Sequence, residues 1–165
     1  MKTIKAQELT LEAFSRYGTF ADMIHPDGDI TGVPGSIIEF YRDRLAVTAP
    51  GEVTGMSVTK VKKRPFVIAK AEYHDNCCEA CMPLNGDVYI HVAPATPHGV
   101  VPYDRFEVFR VPMGTMVVLR PGVWHHAPFA IDQDSVSNLC VLPERTYARD
   151  CAVVVFPEEE QMEIV

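Results

Sequence analysis

Residues 70–86, Lys-Ala-Glu-Tyr-His-Asp-Asn-Cys-Cys-Glu-Ala-Cys-Met-Pro-Leu-Asn-Gly, constrain the fold more than any other stretch of the chain. In an extended strand alternate residues share a face, so Lys70, Glu72 and His74 point one way together. Asn85-Gly86 is a strong hairpin signal, because a type I′ turn needs two positive φ angles and Asn and Gly tolerate them. A hairpin centred there pairs Leu84 with Asp87, Cys81 with Ile90 and Glu79 with Val92. Paired residues share a face, so Glu79 is expected on the core side with Val88, Ile90 and Val92. A carboxylate aimed at a core needs a metal or a buried cation as partner.

The rest of the chain reads as strands. Thr10 caps a short helix over 11–17 that stops at Gly18. Residues 21–36, rich in Asp, Gly and Pro, read as a loop that could cover a barrel mouth, with His25 solvated in it. Strands are expected over 37–47 and 53–61, and again after Pro65 into the Glu72 and His74 segment. Residues 87–93 form the second arm of the hairpin, and 94–104, dense in proline, are a loop. Further strands are expected over 106–111, 115–119, 124–131, 136–142 and 151–156, followed by an acidic, solvated tail. Many short strands without βαβ alternation argue for an antiparallel sandwich or barrel.

With 165 residues and 18.4 kDa the chain fits one domain, 1–165. A net charge of -7 offers no basic face to a phosphate backbone, so no nucleic-acid partner is expected. No membrane span and no signal peptide are visible, and five cysteines, an odd number, suggest a reducing cytoplasm rather than a disulfide framework. Cys78 and Cys81 have zinc-knuckle spacing, but in a strand that separation puts the two sulfurs on opposite faces. Cys77 and Cys81 share the face of Glu79. His91 falls on the outer face with Met82 and Tyr89. There Ala80, Met82 and Tyr89 form an apolar strip that suggests a homodimer.

The pattern Glu72-x-His74-x4-Glu79-x6-Gly86 resembles the first cupin motif, and Gly114 to His125, with a Pro-Gly turn at Pro121-Gly122, resembles the second. The resemblance implies an all-β, cupin-type double-stranded β-helix, a jelly-roll barrel with a short N-terminal helix. It implies Glu72, His74, Glu79 and His125 as ligands of a divalent ion; two imidazoles and two carboxylates suit manganese, iron, zinc or nickel. Trp124, His125 and His126 are consecutive, so only one imidazole is expected on the interior face, and the motif spacing selects His125; His126 then sits outside, or behind the site if the strand twists there.

The N-terminal segment Glu8 to Phe20, the run Pro65 to His74, Met82 to Tyr89 and especially Val-Trp-His-His-Ala-Pro-Phe-Ala at 123–130 are similar to the ureidoglycolate lyases, a cupin family. That likeness implies cleavage of ureidoglycolate to glyoxylate and urea, and hence a small acidic metabolite as substrate. Glu72, Glu79 and His126 are the candidate acid–base groups, and Lys70, Arg120 and Trp124 the candidate substrate contacts. Lys70, facing the interior, would pair either with Glu79 or with the substrate carboxylate. Members of that family tend to carry Gln where this chain has Glu79, so the resemblance implies a more metal-competent site here. Two alternatives stand beside it: another metal-dependent cupin enzyme, such as a sugar isomerase or small-acid lyase, and a non-catalytic cupin that binds a small molecule.

Overall fold

Period-2 alternation of β-branched and polar residues produces strands along nearly the whole chain. The computed structural model describes residues 1–28, 30, 31, 37–48 and 53–165. The N-terminal elements are β1 (Lys2–Ile4), β2 (Ala6–Glu8), α1 (Leu11–Phe14), β3 (Gly18–Asp22), β4 (Ile30–Thr31), β5 (Phe40–Tyr41) and β6 (Thr54–Lys62). The two motif regions contain β7 (Val67–Ile68), β8 (Lys70–Tyr73), β9 (Glu79–Pro83), β10 (Val88–Val92), β11 (Glu107–Val111), β12 (Thr115–Leu119) and β13 (Phe129–Ala130). The chain ends with β14 (Ser135–Pro143), α2 (Thr146–Arg149), β15 (Ala152–Val155), a single 3-10 turn at Glu158–Glu160 and β16 (Met162–Ile164). Thr10 caps α1 by accepting from the Ala13 amide, as its residue type predicts. The helix is only one turn, shorter than the expected 11–17, and Gly18 starts β3.

Two sheets make the barrel. One has the order β3-β12-β9-β14-β6 and the other β13-β10-β11-β2. Alternation assigns their faces: Val117 and Leu119 of β12 point inward to meet Val88, Ile90 and Val92 of β10, together with Phe14, Tyr17 and Phe109. Val118 points outward and joins Ala80 and Val141 in a cluster against which Leu45 and Val47 pack. Outside the second sheet a further core gathers Tyr73, Phe106, Trp124, Phe129, Phe156, Met162 and Ile164. The all-β jelly roll of cupin type with a short N-terminal helix is therefore the fold. The expected loop over 21–36 falls partly on residues 29 and 32–36, outside the described ones.

Three expectations need correction. The Asn85-Gly86 hairpin does not form: β9 pairs with β12 and β14, whereas β10 pairs with β11 and β13. The turn carries the chain from one sheet to the other. Gly86 has no positive φ; a side chain there would meet Gln133. Asn85 instead holds β14, accepting from the Ser137 amide at 2.7 Å. The dimer strip also dissolves, since Ala80 is covered within its own chain and Tyr89 lies on the other sheet, 5.4 Å from Phe66. The acidic tail is not solvated throughout: Met162 and Ile164 are buried, and β16 lies parallel to β1 and antiparallel to β7.

Candidate metal centre

The first and second motifs are joined through their backbones. Glu72 and His125 form an antiparallel bridge, Glu72 N donating to His125 O at 2.6 Å and His125 N to Glu72 O at 2.8 Å. The Pro121-Gly122 turn adds a third link, because the Gly122 amide donates to His74 O at 2.7 Å. Gly122 sits at φ +78°, a conformation that favours glycine over residues with a Cβ.

This scaffold brings His74, Glu79 and His125 together. Their ligand atoms lie within 4.8 Å of one another; His74 and His125 are buried, and Glu79 is partly so. Each Nε2 stands 3.0 Å from the same oxygen, Glu79 Oε2. Each Nδ1 lies on a backbone carbonyl, that of Asp150 at 2.6 Å for His74 and that of Val123 at 2.8 Å for His125. Donation from Nδ1 leaves Nε2 as the ligand nitrogen and fixes the ring, the usual arrangement behind a metal-binding imidazole. Asp150 also clamps the loop after His74, its carboxylate accepting from the Asp75 and Asn76 amides at 2.9 Å each.

Burial works against the charge on Glu79, but His125 and hydrogen bonds from both imidazoles hold its carboxyl well below the usual carboxylate range. Burial likewise opposes a charge on His125, and the Glu79 carboxylate overrides it, raising the imidazole to about 9. Two imidazole nitrogens and a carboxylate oxygen aimed at one point, with their outer nitrogens engaged, fit a divalent metal.

The centre opens into a cavity of about 80 Å³ whose wall includes Glu72, Glu79, Ile90, Val92, His125 and His126. Glu79, Ile90 and Val92 thus do share an interior, as expected, although they reach it from facing sheets and not from one hairpin. Glu72 lies outside the converging group; its Oε2 accepts from the Cys151 thiol at 3.3 Å. His126 lines the cavity beside His125, which is the alternative of a strand that twists there and not that of strict alternation. The chain leaves strand geometry after His125, with Pro128 three residues on, so strict alternation fails there. Burial lowers the His126 imidazole, while the nearby Glu72 charge favours its protonated form.

The other candidates are dispersed. Trp124 is buried in the outer core, donating from Nε1 to Thr96 Oγ1 at 2.7 Å, and Arg120 is exposed; neither lines the cavity. Lys70 is exposed and makes no ion pair with Glu79. Cys77 packs toward Thr146 and Asp150, away from the centre, because it precedes β9 and does not share its alternation. Cys81 does reach the site, its thiol donating to Glu79 Oε1 at 2.8 Å, with Cys140 Sγ 3.9 Å beyond. Cys78 points to the outer cluster, so the two sulfurs of the CxxC lie on opposite faces as predicted. Sequence reasoning missed Cys140, Cys151 and Asp150. Each reaches the site through pairing with a distant strand or loop, which leaves no local pattern.

A jelly-roll barrel with two histidines and a glutamate converging inside it defines a cupin with a metal-competent centre. The ureidoglycolate lyase family profile matches residues 1–163, and the chain belongs to that family. It is 26% identical over 168 residues to the ureidoglycolate lyase of Pseudomonas putida, covering 98% of this chain and 96% of that one. It is 27% identical over 168 residues to the ureidoglycolate lyase of Pseudomonas paraeruginosa, covering 98% and 95%. Among solved structures it is similar to oxalate decarboxylase of Bacillus subtilis, at 15% identity and a TM-score of 0.43. That match covers 63% of this chain and 24% of the decarboxylase chain.

Proposed function

We propose that this chain is a metal-dependent lyase that cleaves ureidoglycolate to glyoxylate and urea. Its membership of the ureidoglycolate lyase family over residues 1–163 carries the reading, and the chemistry of the cavity agrees with it. Ureidoglycolate is a carbinolamide: it fragments when its hydroxyl loses a proton while the urea nitrogen gains one. His74, Glu79 and His125 would hold the metal. Two imidazoles and a carboxylate suit manganese, iron, zinc or nickel, and such an ion, when bound, supplies positive charge that lowers the pKa of a substrate hydroxyl.

Glu72, on the cavity wall and outside the histidine cluster, takes the hydroxyl proton. The freed oxygen lone pair forms the aldehyde carbonyl as the carbon–nitrogen bond breaks. His126, on the same wall, gives its proton to the departing nitrogen, and exchange with water restores both groups. Glu79 takes no proton in this scheme, because as a ligand its carboxylate would be held ionised by the positive charge of the ion. The small cavity excludes polymers and restricts the substrate to a metabolite. We further propose that the protein acts in the cytoplasm, where its five free thiols are stable, as a single domain and as a homodimer built on a face other than the Ala80, Met82 and Tyr89 strip.

The test is turnover. Purified protein supplied with ureidoglycolate and each of the four ions in turn should release glyoxylate and urea in equal amounts. Glu72→Gln should lower kcat about 10²- to 10⁴-fold with metal content unchanged. No glyoxylate with any of the ions, or an undiminished rate in Glu72→Gln, would overturn the assignment.

A further inference from the structure

Two sulfurs lie beside the histidine group on the inner face of the β3-β12-β9-β14-β6 sheet. Cys81 of β9 and Cys140 of β14 are directly opposite each other in the antiparallel register, so their side chains leave the sheet on the same side. Their Sγ atoms are 3.9 Å apart, and the Cys81 thiol donates to Glu79 Oε1 at 2.8 Å. The ligand atoms of Glu79, Cys81 and Cys140 all lie within 4.8 Å of one another. This group shares only Glu79 with the imidazoles and meets its other oxygen: Oε2 faces His74 and His125, whereas Oε1 faces sulfur.

The spacing suits a metal ion. Two metal–sulfur bonds of about 2.3 Å at a tetrahedral ion hold the sulfurs roughly 3.8 Å apart, so the observed separation needs little change. Cys140 supplies a second sign. Asn138, 1% exposed, donates from Nδ2 to Cys140 Sγ at 3.5 Å, and the Thr59 hydroxyl stands 3.5 Å from the same sulfur. A neutral thiol sulfur is a weak acceptor, and a buried amide directed at it suits a thiolate, as do the outer partners that orient metal ligands. Both sulfurs can be reached. Cys81 is half-buried, Cys140 is 9% exposed, and both line the cavity of about 80 Å³ together with Glu79.

We propose that Cys81, Cys140 and Glu79 form a second metal site, selective for a soft, thiophilic ion such as copper(I), next to the histidine group. On binding, each thiol releases its proton to water and its sulfur becomes a ligand; no electron is transferred. Softness divides the two groups: paired thiolates favour a soft ion, whereas two imidazoles and a carboxylate favour a harder one. The remaining cysteines stand apart, Cys77 toward Thr146 and Asp150, Cys78 on the outer cluster and Cys151 on Glu72. Neither Cys81 nor Cys140 has a step in the proposed cleavage, so the site stands or falls separately from the lyase reading.

The experiment is titration of reduced, metal-free protein with cadmium(II), a soft ion whose bonds to thiolate give an ultraviolet charge-transfer band. The band should saturate at one ion per chain. Cys140→Ser should weaken binding about 100-fold or more, a ligand counting for at least as much as the groups that orient it. Cys81→Ala, at a half-buried position, should do the same and guards against a folding defect in the first variant. Cys77→Ser should bind as the parent does, and His125→Ala should keep the band. No band up to about 100 µM cadmium, undiminished affinity in Cys81→Ala or Cys140→Ser, or loss of the band in Cys77→Ser or His125→Ala would each overturn the proposal.

Discussion

Trp124 stands one residue before His125, yet its indole turns away from the cavity onto Tyr73, with ring centroids 4.5 Å apart. At 1% exposure it is a core residue, so Trp124→Ala should cost about 3–5 kcal/mol in urea unfolding, whereas Trp124→Phe should leave KM for ureidoglycolate unchanged. A raised KM in Trp124→Phe would return the residue to the substrate. His91 supplies a pH signature. Burial first, then the neighbouring His126, His125 and Arg64, push it down to about 3, against the single favourable contact of Lys70 O. The unfolded chain protonates this imidazole near pH 6.5 while the native state does not, so the unfolded state binds more protons and native stability falls with pH below that point. The loss sets in near pH 6.5 and reaches roughly 1.4 kcal/mol per pH unit between about pH 5.5 and pH 4, and His91→Phe should show a slope shallower by that amount. Equal slopes in the two proteins would mean that His91 titrates in water.

At the level of elements, the informative failure is Asn85-Gly86. A turn sequence specifies a local reversal, but whether the strands it joins pair with each other depends on which sheet offers each a partner. Val117 and Leu119 of β12 and Cys140 of β14 claim β9, and β11 claims β10, so the turn becomes a crossing. The faces nevertheless come out as read, because alternation belongs to each strand by itself: Glu79 on β9 and Ile90 on β10 both look inward. The C-terminal strand gives the opposite lesson. Its acidic surroundings mask two buried positions, Met162 and Ile164, that become apolar contacts only when β1 and β7 flank them. Met162→Ala should therefore destabilise the protein by about 2–5 kcal/mol, measured as a shift of the urea midpoint at constant m-value. A change within experimental scatter would mark the strand as peripheral.

For the molecule as a whole, the metal group ties together segments far apart in sequence: His74 after β8, Glu79 on β9 and His125 on the bridge that faces Glu72. An ion bound by all three stabilises the native state alone, since the unfolded chain cannot hold the three ligands in register. At a free metal concentration of about 100 times Kd the gain is about 2.7 kcal/mol, or roughly 5 to 10 °C in Tm for a chain of this size. A chelator should reverse it, and His125→Ala should abolish the response. An unchanged Tm in the parent protein across the four candidate ions would argue against a metal at this site.

Sequence alone determined the strand-rich class, the inward direction of Glu79, the opposed faces of Cys78 and Cys81, and the pairing of His74 with His125 as imidazoles that meet at Glu79, because these follow from local periodicity and from motif spacing. Only the tertiary structure decided that Glu72 stands beside the metal group, that Lys70 and Arg120 are exposed, that His126 shares the cavity, and that Asp150, Cys140 and Cys151 border the site. The difference is physical. A strand's alternation is set by its own backbone, whereas the distance between two side chains on different strands is set by sheet order and by crossings between sheets. Those depend on all the non-local pairings together, which no single segment encodes.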